Sequence, residues 1–277
     1  MINCSIVTYC TPEDMLLKAM ASVLSSNTIG KFFIVDNSPD ETIRGFMPND
    51  DRIVYIENPA NTGFGAGHNI ALKRSLAEDA SYHLILNPDA HFNEGTLEKI
   101  LSYMDQHPQI GNLMPKVVYP DGSIQYLCKL LPTPYDWIGR RFNPIKSLID
   151  KRNNLFELRF TGYDKIMEVP YLSGCFMFLR LSIIKEVGLY DEHIFMYGEE
   201  TDLCRRIISH GYQTVFYPEA EIIHEFQKGS HKSFKLTWIG MQSAIYYFNK
   251  WGWFFDKTRD QINRKTLQLL NYNHKSE

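Results

Sequence analysis

An α/β fold, with a mostly parallel sheet flanked by helices and a C-terminal helical appendage, is what this sequence predicts, on three observations. Over the first 120 residues, short apolar runs alternate with helical patterns, the sequence form of a parallel sheet. Those runs are apolar at nearly every residue, as strands covered by helices on both faces require. Polar and acidic residues follow directly after them, where open α/β sheets bind ligands.

In order, strands are expected at 2–8, 32–36, 53–57 and 82–87, with helices at about 12–26, 68–77 and 94–106. Asn93-Glu94-Gly95-Thr96 offers an N-terminal start for the last helix. From 121 to 168 the pattern breaks down. Pro132, Pro134 and Pro144 interrupt it, and Arg140, Arg141, Lys146, Lys151 and Arg152 mix with Tyr135, Trp137 and Phe142. This reads as an irregular, acceptor-side excursion between two halves of one domain. Order resumes with a strand over Val169–Arg180, helices at 181–187 and 199–210, Gly211 as a C-terminal cap, and a strand pair at 213–217 and 220–224. From Phe234 to Trp253, Leu236, Ile239, Gly240, Ser243, Tyr246, Tyr247 and Trp251 recur at helical spacing. The expected division is a main domain over 1–230 and a basic, aromatic helical tail over 231–277.

A chain of 277 residues with 44% apolar and 13% aromatic content can bury a large core, which excludes wholesale disorder. No run of eighteen apolar residues occurs, so no transmembrane helix is expected. The N-terminus lacks the basic region and cleavage site of a signal peptide. Five scattered cysteines without a Cys-x-x-Cys pair argue against a disulfide framework or structural zinc, and for a reducing, cytoplasmic setting. The charge is uneven. Residues 228–277 hold nine Lys and Arg against Asp256, Asp260 and Glu277, a net +6, so the first 227 residues carry −9 of the total −3. Such a tail suits an anionic surface but is too sparse in charge for nucleic acid. It reads equally as a peripheral contact with the inner membrane face or as a helix packed on the body or on a second copy in a homodimer.

Three carboxylates, Glu199, Glu200 and Asp202, open a helix after Met196-Tyr197-Gly198. A helix N-terminus favours negative charge, so an acidic first turn alone says little. Asn87-Pro88-Asp89 ends a buried strand, and a carboxylate there can hold a divalent cation that bridges phosphates. Asp36 ends another strand and suits a nucleobase imide or ribose. Asn61-Thr62-Gly63-Phe64-Gly65-Ala66-Gly67-His68-Asn69 is a glycine-rich run entering a helix, which fits phosphate. It is neither a triphosphatase loop nor a dinucleotide fingerprint, since it follows the third strand rather than the first. His224 ends a late strand and could complete a cation site with Asp89. His68, His83 and His91 read as structural.

In this order the motifs resemble the family 2 glycosyltransferases of bacteria, especially their rhamnosyltransferase branch. The resemblance spans roughly residues 2–250 and is carried by Ser5-Ile6-Val7-Thr8-Tyr9, Val35-Asp36-Asn37-Ser38, the Asn61–Asn69 loop and Asn87-Pro88-Asp89. It continues through Ser173-Gly174-Cys175-Phe176-Met177, Gly188-Leu189-Tyr190-Asp191-Glu192, Tyr197–Leu203, Gly211-Tyr212 and His224.

The resemblance implies a GT-A fold, the Rossmann-like architecture of nucleotide-diphospho-sugar transferases. It implies an inverting transfer from a nucleoside-diphosphate sugar to a glycan or polyprenyl-linked acceptor in surface polysaccharide synthesis, aided by Mg²⁺ or Mn²⁺. Thr8, Tyr9 and Asp36 would line the nucleoside pocket, with Asn61, Gly63, Phe64, Gly65 and Asn69 flanking the donor. Asp89 matches the second acid of the family's Asp-x-Asp motif, and Asn87 stands in place of the first. His224 would contact the metal or diphosphate. The base falls at Glu200, a Glu where Asp is usual. One extra methylene leaves Glu199 open as the base, because catalysis is sensitive to displacements of about 1 Å. Gly174 and Asp202 fall on the acceptor side, Asp202 orienting neighbours with Arg205 and Arg206 at i+3 and i+4. The branch points to dTDP-rhamnose as a donor. The alternatives are a non-catalytic sugar-nucleotide-binding or scaffold protein, and a nucleotidyltransferase. The latter needs a basic glycine-rich loop near the first strand, which Thr8-Tyr9-Cys10-Thr11-Pro12 does not supply.

Overall fold

The computed structural model describes residues 1–40, 42–139, 144–225 and 234–272. Arg140, Arg141, Phe142 and the expected division at 230/231 lie outside the described residues.

The first half follows the expected alternation. Strands β1 (Ile2–Thr8), β2 (Ile29–Asp36), β3 (Ile53–Glu57) and β4 (Tyr82–Leu86) are joined by helices α1 (Glu13–Leu24) and α2 (Phe64–Ala77). A short β5 (Ala90–Phe92) and α3 (Thr96–Gln106) follow. β1 pairs in parallel with β2 and β4, and β2 with β3. Successive residues of each strand face opposite ways. Ile6 and Ile34 join a cluster with Leu16 and Met20 of α1, whereas Val7, Val35 and Ile56 pack with Ala71 of α2. Apolar residues on both faces thus follow from helices on both faces.

The second half adds β6 (Ile110–Val118), β7 (Cys128–Lys129), α4 (Pro134–Trp137), α5 (Lys146–Phe156), β8 (Met167–Glu168), β9 (Tyr171–Leu172), β10 (Phe176–Arg180), α6 (Leu181–Val187), α7 (Glu199–Ser209) and β11 (Gln213–His224). The main sheet runs β3-β2-β1-β4-β10-β6-β11-β5, with β8 alongside β11. β10 is antiparallel to β4 and β6, and β11 is parallel to β6.

Several elements depart from expectation. β6 occupies the centre of the sheet although Gly111, Asn112 and Pro115 conceal it in the sequence. Proline cannot donate to a ladder. The register shifts here, from Tyr217 opposite Pro115 to Glu221 opposite Lys116, so β11 is one bulged strand instead of a strand pair. The strand expected over Val169–Arg180 breaks at Ser173–Cys175, and β9 leaves to pair with β7 in a second small sheet. The excursion is partly helical: a capping box between Thr133 and Asp136 starts α4, and Arg152 of α5 clasps the buried Asp136 carboxylate at 2.5 and 2.6 Å.

The tail forms α8 (Phe234–Trp251) and a further helix, α9 (Lys257–Leu269), too polar to read from apolar spacing. Ala244, Tyr247 and Phe248 of α8 are buried with Trp137, Ile138, Trp251 and Trp253. Asn263 of α9 exchanges two hydrogen bonds with the Leu131 backbone. No helix among the described residues is long and apolar enough to cross a membrane.

Candidate functional site

Register brings the ends of the parallel strands level: Thr8 lies opposite Asp36, and Asp36 opposite Glu57. Asp36 is buried and accepts three hydrogen bonds, which leaves one acceptor position on Oδ2. Its Oδ1 accepts from Thr8 Oγ1 at 3.0 Å and the Ser38 amide at 2.9 Å, and its Oδ2 accepts from Tyr55 Oη at 2.7 Å. A cavity of about 200 Å³ opens here, lined by Asp36, Ser38, Tyr55, Glu57 and Pro59. Tyr9, just past the strand end, is 55% exposed beside it in sequence. Tyr55 was not a sequence candidate, because nothing marks it among strand residues.

The glycine-rich run sits inside the structure differently from the expected loop. α2 begins at Phe64, so Gly65 and Gly67 lie in its first turn. Only Gly63 needs glycine's backbone freedom, with φ +91° and the Phe195 carbonyl pressed where a Cβ would sit. Gly67 admits Val7, and Gly65 admits Tyr190, so these bare faces serve close packing within the chain. Asn61 also takes a positive φ, at +43°. Asn69 is buried, its amide donating to Tyr190 O and Glu192 Oε1 and accepting from the Tyr190 amide, and so it fastens the 190–192 segment.

At the end of β4, the antiparallel pairing of β5 with β11 sets His224 opposite Ala90. This brings His224 to Asn87 and Asp89, although Asn87 is 137 residues away in sequence. His224 Nε2 lies 3.2 Å from Asp89 Oδ1 and 3.5 Å from Asn87 Nδ2. Asp89 Oδ1 is buried yet accepts no hydrogen bond among the described residues. An orphaned carboxylate oxygen beside an imidazole nitrogen fits a divalent cation, since neighbouring ligands at about 2.1 Å from one octahedral ion stand roughly 3 Å apart. No group of three or more His, Cys, Asp or Glu ligands exists among the described residues. Two protein donors therefore suit a cation completed by a substrate's phosphates and water.

The acidic turn splits into two environments. Glu200 Oε1 accepts from Tyr171 Oη at 3.0 Å, and Oε2 from the Gly198 amide at 3.0 Å. Glu199 is also buried, but its Oε2 accepts nothing among the described residues. Burial, and then the charge of Glu200, pushes the Glu199 carboxyl well above its ordinary value. Glu200 lines a cavity of about 260 Å³ whose walls include Lys129, Trp137, Tyr171, Tyr197, Gly240 and Met241. The excursion and α8 thus close over the same carboxylate. Gly174 lies close by, where a Cβ would touch the Phe64 ring and the Glu200 Cβ at ordinary contact distances.

Asp202 is fully buried. Arg206 pairs with it at 2.8 Å, as the i+4 spacing predicts, while Trp251 Nε1 and Lys250 Nζ reach it at 2.8 Å from α8. Arg205 does not join them. It forms two bonds of 2.6 and 2.7 Å with Asp256 and lies 4.3 Å from the Trp251 ring. Residues one apart on a helix diverge by about 100°, so Arg205 turns toward the tail. All five cysteines are free thiols and four are buried.

The family model described as Glycosyl transferase family 2 matches residues 4–188. The Haloferax volcanii protein named low-salt glycan biosynthesis hexosyltransferase Agl10 is 28% identical over 268 residues, covering 96% of this chain and 80% of that one. The Mycobacterium tuberculosis protein named N-acetylglucosaminyl-diphospho-decaprenol L-rhamnosyltransferase is 28% identical over 230 residues, covering 79% and 74%. Among solved structures, GalNAc-T7 with UDP, GalNAc and Mn²⁺ superposes with a TM-score of 0.61 at 13% identity, over 82% of this chain but only 43% of that one. Residues 1–349 of S. aureus TarS give 0.56 at 15%, over 96% and 70%. At such identities these structures speak for the fold alone, which is the expected GT-A type.

Proposed function

This chain belongs to glycosyl transferase family 2, and from that premise we propose an inverting transfer of a sugar from a nucleoside diphosphate to a hydroxyl of a glycan or lipid-linked acceptor. The observation that carries the proposal is the orphaned Asp89 oxygen beside His224, to which a Glu200 carboxylate lining a cavity adds a second group. Thr8, Tyr9 and Asp36 take the nucleoside, with the 200 Å³ cavity beside Tyr55 as its seat. The Asn61–Asn69 segment, through Asn61, Gly63, Phe64 and Gly65, shapes the donor side, where Asn69 acts by fastening residues 190–192. Asn87, Asp89 and His224 face the diphosphate. Asp89 and His224 would hold Mg²⁺ or Mn²⁺, which when bound neutralises charge on the leaving diphosphate.

Glu200 accepts the acceptor's hydroxyl proton as that oxygen bonds to the anomeric carbon. The bond from that carbon to the diphosphate breaks, its electron pair leaving with the phosphate oxygen, and the configuration inverts. Burial, and then the Glu200 charge, raise the Glu199 carboxyl, which favours Glu200 over Glu199 as the base. The acceptor enters the 260 Å³ cavity, where Trp137, Tyr171 and Tyr197 offer faces for a sugar ring. Gly174, packed by Phe64 and the Glu200 Cβ, falls on this acceptor side, and Asp202 ties α8 over it.

The rhamnosyltransferase relatives support dTDP-rhamnose as the donor to test first. Phe254 and Phe255, 74% and 97% exposed, stand on a tail of net positive charge and support a peripheral contact with an anionic membrane. Release of nucleoside diphosphate from a panel of nucleotide sugars, with Mn²⁺ and with chelator, tests the proposal. Metal-dependent release from one donor is expected, and binding without any turnover, acceptors included, would leave only a sugar-nucleotide-binding role.

A further inference from the structure

We propose that Gln125 is the positioning residue of the cation site, holding the His224 ring in the one tautomer that turns an unprotonated Nε2 toward Asp89. The inference rests on the donor reading above, but the contact that carries it is independent of that reading.

Gln125 is buried and meets His224 twice. Its Nε2 donates to the His224 carbonyl at 2.7 Å, and its Oε1 lies 2.9 Å from His224 Nδ1. A backbone carbonyl can only accept, so the amide nitrogen must face it, and the amide oxygen is left for the ring. An amide oxygen can also only accept, so Nδ1 carries the hydrogen. In the neutral imidazole the other nitrogen then presents its lone pair, and that nitrogen is the one 3.2 Å from Asp89 Oδ1. Both the backbone and the ring of His224 are fixed by one carboxamide, which is how partners behind a metal-ligating histidine commonly orient it.

The carboxamide is itself held. The turn after β6 closes through Tyr119 N to Ser123 O at 2.8 Å, the Gln125 backbone N–H donates to Val117 O at 2.9 Å, and its carboxamide nitrogen lies 3.4 Å from Val118 O. Gln125 thus sits on a short hairpin whose other arm, β6, pairs with the strand that carries His224. No motif marks the residue in the sequence, because its partner lies 99 residues away.

The test uses Gln125→Met, which keeps the volume and removes both bonds, and Gln125→Glu, which keeps an acceptor for Nδ1. Two readouts are needed: the tautomer of His224 by long-range proton–nitrogen correlation, and Mn²⁺ binding by electron paramagnetic resonance with UDP or dTDP present. In the wild type an Nδ1–H signature and Mn²⁺ binding are expected. Gln125→Met should lose the Nδ1–H bias and weaken Mn²⁺ by about 10–100-fold. Gln125→Glu should keep the tautomer and recover most of that loss. A Met variant that binds Mn²⁺ within twofold of wild type, or keeps the Nδ1–H form, overturns the inference. Should the Met variant fail to fold, a folded Glu variant that has lost the Nδ1–H signature overturns it instead. Wild-type protein that binds no Mn²⁺ with either nucleotide, yet shows the Nδ1–H form, counts against the cation reading itself and so is distinguishable.

Discussion

Tyr171 and Glu200 meet through one hydrogen bond of 3.0 Å, donated by the phenol to a carboxylate that the Gly198 amide grips at its other oxygen. Tyr171 sits on a two-residue strand that has left the main sheet, and Glu200 on the first turn of α7. The break in the strand at Ser173–Cys175 is therefore what brings a phenol to the Glu200 carboxylate.

Glu200→Gln should lower transfer by about 10²–10⁴-fold, the range for a positioned general base, with donor binding retained. Tyr171→Phe keeps the base but frees one oxygen to rotate, so a smaller loss in kcat is expected with donor affinity unchanged. Steady-state kinetics alongside nucleotide titration reads both. Equal loss of donor binding in Glu200→Gln would remove Glu200 from the base role.

Glu199 should make the protein less stable as pH rises. Its folded-state value lies well above the ordinary 4.5, so the unfolded chain releases that proton first and the folded chain must follow at a cost. The stabilisation is complete below about pH 4.5 and is lost progressively as pH climbs toward the raised value. Glu199→Gln should flatten this decline and raise the melting temperature at pH 7–8. Melting curves from pH 5 to pH 8.5 decide it.

Asp256→Ala should destabilise the chain by about 3–5 kcal/mol, because it leaves the Arg205 guanidinium buried without its bidentate partner. Urea unfolding measures the change. As Arg205 lies on the helix that carries Glu200, loss of this pair should also loosen α8 over the cavity and raise the acceptor KM.

Gly240 offers a sharper test of the α8 wall. A Cβ there would meet Tyr197 at an ordinary 3.5 Å, so Gly240→Ala should fold well and gain up to about 1 kcal/mol from helix propensity. Gly240→Leu extends into the cavity beside Glu200 and should raise the acceptor KM by an order of magnitude or so while the donor KM holds.

The site was legible in the sequence where chemistry and strand ends coincide. Asp36 and Asp89 each follow an apolar run, and a carboxylate at the carboxyl end of a parallel strand has few places to point except a ligand crevice. The Glu199-Glu200 turn stood out by charge density. Fold class, too, was encoded locally, since alternating buried strands and helices admit few arrangements. Tyr171, Tyr55 and Gln125 carry no such mark, as their partners are distant in the chain.

What the sequence alone determined was therefore the α/β architecture, the family and the acidic residues at strand and helix ends, all set by periodicity and short motifs. The tertiary structure decided which polar residues lie together and what surrounds each acid. The pairing of β5 with β11 brought His224 to Asp89, the bulge opposite Pro115 joined two expected strands into one, and Arg205 turned to Asp256 and fastened the tail to the helix of Glu200. Each depends on contacts between residues far apart in sequence, whose closeness arises only when the whole sheet and its covering helices pack at once.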